Sequence, residues 1–223
     1  MVAVASLLVV VAAALTADGL ARGRVERALA EHLRTEHGAQ GVRVRVDQVG
    51  IAPVLAARGS LARVEVHADA LFGAHAPRLR DVDVVAEGVG VRRPYPLSRL
   101  RYSALLADDD LGRVLSERSG LAVTARSTDG TTHLLVDGAD AAEMEPGTCP
   151  GGAPCLVTES LPGAPGGADL AAAVPVLRLQ VLPPELLLTG VDELDVVEGG
   201  VVLRADEQVP VDGRIFVEEP EAW

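Results

Sequence analysis

Residues 60–91 read SLARVEVHADALFGAHAPRLRDVDVVAEGVGV, and apolar and charged side chains alternate along both halves of the stretch. Val64, Val66 and Ala68 alternate with Arg63, Glu65, His67 and Asp69; Val82, Val84 and Ala86 alternate with Asp81, Asp83 and Glu87. A period of two is the pattern of strands with one dry and one wet face. The wet face is a solvated surface, so the chemistry of interest lies on the dry one.

The same pattern recurs along the chain. VRVRVDQV, residues 42–49, predicts a strand with Val42, Val44 and Val46 on one face, and residues 99–106, LAVTARS and THLLVDGADAAEME predict further strands. Residues 198–200, Glu-Gly-Gly, separate two alternating runs and predict a hairpin. Helices are few. In GLARGRVERALAEHLRTEHG, Leu20, Val25, Ala28, Leu29 and Leu33 recur at helical spacing, with Gly38 at the C-cap position. DDDLGRVLSERSG predicts a second helix, capped by Asp108 or Asp109, with acids in its first turn and Gly120 at its end. The segment from Pro53, PVLAARG, reads as a helical turn or a loop, and residues 146–167, rich in Pro and Gly, as a surface loop. DLAAAVPVLRLQVL and LPPELLLTG follow. Strands that outnumber helices without one-for-one interleaving point to an antiparallel α+β fold over a Rossmann-like sheet.

Composition narrows the partners. The 223 residues suffice for one domain with a large core, and 48% of them are hydrophobic while only 2% are aromatic. Any cavity would therefore have aliphatic walls, without the rings on which sugars or bases stack. A net charge of −12 repels nucleic acid, which is excluded as a partner. The chain has no Lys, which removes Walker-A phosphate binding, Schiff-base catalysis and pyridoxal attachment together.

The apolar run over residues 2–17 lies between the length of a signal-peptide core and that of a spanning helix, so residues 1–19 are expected to be a signal peptide or a membrane anchor. A literal positive-inside count over Arg22, Arg24 and Arg27 would keep the main domain, residues 20–223, in the cytoplasm. The two cysteines favour export instead. Cys149 and Cys155 flank five residues rich in Pro and Gly, and in an exported protein such a pair is most simply a local disulfide. A redox pair or two zinc ligands are the alternatives, but the redox spacing is shorter and no further zinc ligands lie nearby.

The order of features resembles the actinobacterial LmeA-type phospholipid-binding family. It is carried by the N-terminal apolar segment, the amphipathic helix, the V-x-V-x-V strand, GSLARVEVHADALF followed by LRDVDVVAEGV, and LPPELLLTGVDELDVVEGGVVLRADEQVPV. That resemblance implies an exported or membrane-tethered envelope protein without catalytic residues. Its elongated, strongly curved antiparallel sheet would wrap a helix and enclose a lipid slot, as in tubular lipid-binding proteins. The residues support the same mechanism: an aliphatic groove binds acyl chains at about 0.8 kcal/mol per buried methylene, without a polar catalyst. The alternative is an envelope scaffold whose dry faces are core alone.

Arg92, Arg93, Arg99 and Arg101, with Tyr95 and Tyr102 beside them, accumulate between Glu87 and Asp108 with no acid among them. Arg forks suit phosphate and Tyr suits the boundary of water and acyl chain, so this stretch is the candidate headgroup or membrane contact. The competing reading is a solvated strand edge blunted by charge and by Pro94 and Pro96. Leu71 and Phe72 form a candidate membrane-dipping connection, with inward packing as the alternative. No metal is expected: the five histidines are scattered, and Asp108, Asp109 and Asp110 lack the spacing of a calcium loop. No nucleophile elbow and no cofactor motif is present, so no catalytic residue and no cofactor is assigned.

Overall fold

The computed structural model describes residues 2–48, 60–71, 77–90, 98–128, 130–149, 152–177 and 191–208, with the side chains of α1 described from residue 18 to 35. Strands are β1 (Arg43–Val46), β2 (Ser60–Leu71), β3 (Leu79–Gly90), β4 (Arg99–Ala107), β5 (Val123–Thr128), β6 (Thr131–Val136), β7 (Ala139–Thr148), β8 (Pro154–Ser160), β9 (Val176–Leu177), β10 (Glu193–Val197) and β11 (Gly200–Gln208). Helices are α1 (Val2–His37), α2 (Asp108–Ser119) and α3 (Gly167–Ala173).

The antiparallel α+β arrangement holds, but its strands form two open sheets. A six-stranded sheet runs β1-β2-β3-β4-β11-β10, and a five-stranded meander runs β5 to β9. Every pair is antiparallel. The chain leaves the first sheet at β4, builds the second, and returns through β10 and β11 to pair β11 with β4. Leu106, Leu203 and Val201 of the first sheet, Leu134, Met144 and Leu156 of the second, Leu111 and Leu115 of α2 and Leu170 of α3 share one core and are 0% or 1% exposed.

The first sheet cannot continue into β5, because α2 lies along the free edge of that strand. Asp108, Gly112 and Ser116, one turn apart, form the contact. The Asp108 carboxylate accepts from the Ser127 amide at 2.9 Å and from the Ser127 hydroxyl. The Ser116 hydroxyl accepts from the Val123 amide at 2.9 Å. A Cβ on Gly112 would stand 3.0 Å from the Val123 carbonyl oxygen, so only glycine lets the helix approach this closely. An edge covered in this way offers no template for further pairing. Asp108 is therefore the first helical residue and not the cap. The N-cap is Ala107, which has no capping side chain.

Three further expectations change. The apolar run and the amphipathic segment after it are one continuous helix, α1, ending where Gly38 adopts φ 59°. Among the described residues no helix is long and apolar enough to cross a membrane.

Residues 146–167, expected as a surface loop, carry the end of β7, all of β8 and the approach to α3. Pro146 pairs with Leu156 just past the point where β6 ends, so its missing amide costs no ladder bond. Cys149 and Cys155 close that hairpin at disulfide distance, with Cα atoms 5.7 Å apart. THLLVDGADAAEME is a hairpin, turned at Asp137 (φ 53°) and Gly138 (φ 83°).

Candidate functional site

The inner face of the six-stranded sheet follows the alternation of the sequence, and register places its side chains in rows across the strands. One row is Val46, Val64, Ala86 and Leu100; the next is Val44, Val66, Val84, Tyr102 and Ala205; a third contains Ala68, Val82 and Ala104. The rows differ in burial. Ala68, Val82 and Ala104 belong to the main core, while Val46, Leu61 and Val64 form a separate small cluster. Between them Val44, Val66 and Val84 are only half-buried, and Val44 and Val66 pack against both clusters.

Helix α1 lies over this region. Val25 and Leu29 pack against the small cluster, and Ala30 and Leu33 against the main core. The half-buried aliphatic row beside α1 crosses from β1 toward Tyr102 over three strand spacings, roughly 14 Å. Tyr102 is 5% exposed, and burial, aided by the charges of Asp192 and Glu207, pushes its hydroxyl far above the ordinary tyrosine range. It remains neutral at the inner end of the row.

At the outer end, α1 secures the free edge of β1. Glu26 accepts from the Val46 amide at 2.9 Å, Arg34 donates to the Val42 carbonyl at 3.2 Å, and Arg22 donates to the Gln48 carbonyl. These carboxylate and guanidinium groups satisfy a strand edge that would otherwise be open.

The outer face of the same sheet is a field of cross-strand ion pairs. Arg99 grips Asp206 with two hydrogen bonds, at 2.7 and 2.5 Å, and Arg101 meets Glu87 at 3.0 Å. The bond to Arg99 holds the Asp206 carboxyl below the usual carboxylate range, and that same bond raises the Arg99 guanidinium. A shallow depression of about 360 Å³ on this sheet is lined by Asp83, Arg101, Asp192, Glu193, Arg204 and Asp206. Val85, Tyr102, Ser103 and Ala205 complete its lining between the charged groups.

This geometry separates the candidate residues. Arg99 and Arg101 face outward, each matched by a carboxylate, whereas Tyr102, next to Arg101, faces the core. Arg92, Arg93 and Tyr95 lie outside the described residues, as does Phe72. Leu71 closes β2 opposite Leu79 and packs against the main core.

The chain matches no family model, no curated protein and no solved structure.

The carboxylates of α2 are committed to neighbours. Arg80 meets Asp109 at 2.5 Å and Asp110 at 3.2 Å, and Asp110 is also 3.5 Å from Arg113. Among the described residues no group of His, Cys, Asp and Glu is placed to hold a metal ion. Sequence reasoning did not single out the edge residues Glu26 and Arg34. The available signal was their position on the inward stripe of α1, between Val25, Leu29 and Leu33.

Proposed function

We propose that this protein binds a phospholipid without turning it over, with an acyl chain laid along the half-buried row beside α1, on the inner face of β1, β2 and β3. The observation that carries this reading is the half-buried row Val44, Val66 and Val84, set between two buried clusters on the inner face. A core optimised for packing alone would merge the clusters; a row of aliphatic side chains left partly open is suited to a hydrocarbon chain. Each methylene transferred from water into it contributes about 0.8 kcal/mol, so affinity follows from shape and desolvation. The resemblance to the LmeA-type family supports the same assignment, and with it a sheet curled around α1 as in tubular lipid-binding proteins. It also supports a cell-envelope location, reached through the apolar N-terminal segment, with the membrane surface as partner.

A second reading, an envelope scaffold or assembly partner, is favoured by the other half of the molecule. There Leu106, Leu111, Leu115, Leu134 and Met144 are all 0% exposed. One experiment separates the two. Organic extraction of the purified full chain followed by mass spectrometry should recover a diacyl lipid, and lipid-free protein should take lipid from vesicles. Protein that emerges clean, takes up nothing and crosslinks to a stable protein neighbour would leave the scaffold reading in its place.

A further inference from the structure

Helices α1 and α2 each guard a strand edge, but they are held differently. Helix α2 is built into the core: Leu111 and Leu115 are fully buried, and Gly112 lets the helix approach the Val123 carbonyl closely. Helix α1 is held by less. Of its described side chains only Ala30 is buried, at 7% exposure, while Val25, Leu29 and Leu33 are half-buried and Leu20 is 68% exposed. Among the described residues no backbone hydrogen bond joins α1 to a strand. Three side chains make the connection instead: Arg22, Glu26 and Arg34 reach the backbone of Gln48, Val46 and Val42.

The chain passes from helix to sheet over a few residues. Gln40 is fixed to β2, accepting from the Asp69 amide at 2.9 Å and donating to the Ala70 carbonyl at 2.8 Å, so from this residue onward the chain belongs to the sheet. Gly38, between the helix and that anchor, stands at φ 59°, and glycine crosses to negative φ without steric cost. It is a pivot. Arg22 lies 16 residues before it, roughly 24 Å along the helix, so the side-chain latch is far from the turning point. Beneath α1, Val25 and Leu29 close the small cluster of Val46, Leu61 and Val64. That cluster is separate from the main core and adjoins the half-buried row through Val44 and Val66.

We propose that α1 is a strap, hinged at Gly38 and latched to the edge of β1 by Arg22, Glu26 and Arg34, which lifts as a unit to admit the acyl chain. This inference rests on the lipid-binding reading above and assigns how the chain enters. With the strap closed, the small cluster is sealed and Val44, Val66 and Val84 are half-buried beside it. With it lifted, Val46, Leu61 and Val64 join them in one aliphatic surface across β1, β2 and β3, and the core between the two sheets keeps its packing. A latch of side chains on backbone suits a part that opens. Water replaces each bond as it breaks at a strand edge, so the helix leaves at less cost than a strand pulled from the sheet.

The test locks the strap at the end far from its hinge. In the full chain, the thiols of R22C/Q48C are joined by a short bis-maleimide, and the same variant with each thiol capped singly is the control; the Cys149–Cys155 pair, being bonded, does not react. Amide hydrogen exchange of the lipid-free parent reads the motion itself. The Val46 amide, which donates to Glu26, should exchange roughly a hundredfold faster than that of Leu203, held between β4 and β10, because it opens with the strap and not with the whole fold. Crosslinking should remove most of that difference. With phosphatidylglycerol vesicles, lipid uptake followed by mass spectrometry should be roughly tenfold slower in the crosslinked protein than in the capped control, and E26A should load faster than the parent. Equal exchange at Val46 and Leu203 would mean that α1 leaves only on global unfolding, and would overturn the strap with lipid binding untouched. So would a crosslinked protein that loads as fast as its capped control. A parent that takes up no lipid would remove the lipid-binding reading and the strap's purpose with it, whatever the exchange at Val46.

Discussion

Replacing Ser116 by Ala tests whether α2 guards the edge of the second sheet. The Ser116 hydroxyl accepts from the Val123 amide at 2.9 Å and stands 2.8 Å from the Gly112 carbonyl and 3.2 Å from the Val123 carbonyl. Val123 is 8% exposed, so the substitution leaves an amide facing the helix without a partner. An unsatisfied buried donor costs about 1–3 kcal/mol. Alanine recovers about 0.5 kcal/mol through its higher helix propensity. The net loss is then about 0.5–2.5 kcal/mol, a fall in Tm of roughly 1–10 °C for a chain of this size. Urea denaturation supplies the stability change, and amide hydrogen exchange at Val123 locates it. Glu117→Ala is the control, since its exposed carboxylate makes only a helical pair with Arg113 at 3.2 Å and should change stability by less than about 0.5 kcal/mol. If Ser116→Ala is as stable as that control and the Val123 amide exchanges as slowly as in the parent, the edge-guarding account is wrong.

Two other expectations concern charge and covalent closure. Burial pushes the Asp109 carboxyl upward, but the hydrogen bond and charge of Arg80 outweigh it and hold the group below its ordinary range. A depressed carboxylate stabilises the fold above its unfolded pKa and loses that contribution as pH falls through the folded value. Arg80→Gln should therefore move the Asp109 titration, followed by NMR, up toward the ordinary carboxylate range and flatten the acid limb of stability; an unmoved midpoint would refute the pairing. Replacing Cys149 and Cys155 together by Ser opens a loop of sequence separation 6, which should lower stability by about 2 kcal/mol. Equal denaturation midpoints for the variant and the oxidised parent would show that the hairpin holds without the bond.

Much of the fold was legible where local periodicity carried it. The alternation over β2 and β3 put Val64, Val66, Val82 and Val84 on the inner face, and Gly38, Gly120 and the 198–200 turn fell at the ends their backbone conformation suits. Where the reading failed, two signals competed. The Asp137-Gly138 pair is a strong hairpin signal, but apolar residues on both sides made the segment look like one strand. Pro and Gly near Cys149 suggested a loop, yet they occupy places where no ladder bond or side chain is needed: Pro154 opens β8, and a Cβ on Gly147 would stand 2.7 Å from Val157. The candidate site divides similarly. The arginines at residues 92–101 were conspicuous because no acid lies between them in sequence, yet the acid that meets Arg99 is 107 residues away.

The sequence by itself determined which side chains of each strand face inward, because successive residues of a strand point to opposite sides whatever the strand pairs with. It also determined that those walls are aliphatic and that no lysine chemistry is available. Only the tertiary structure decided that the strands divide between two sheets, that Arg99 and Arg101 are matched by carboxylates on neighbouring strands, and that Val44, Val66 and Val84 lie half-buried between two clusters. Burial and charge matching depend on which distant segments meet, and no local period encodes that meeting.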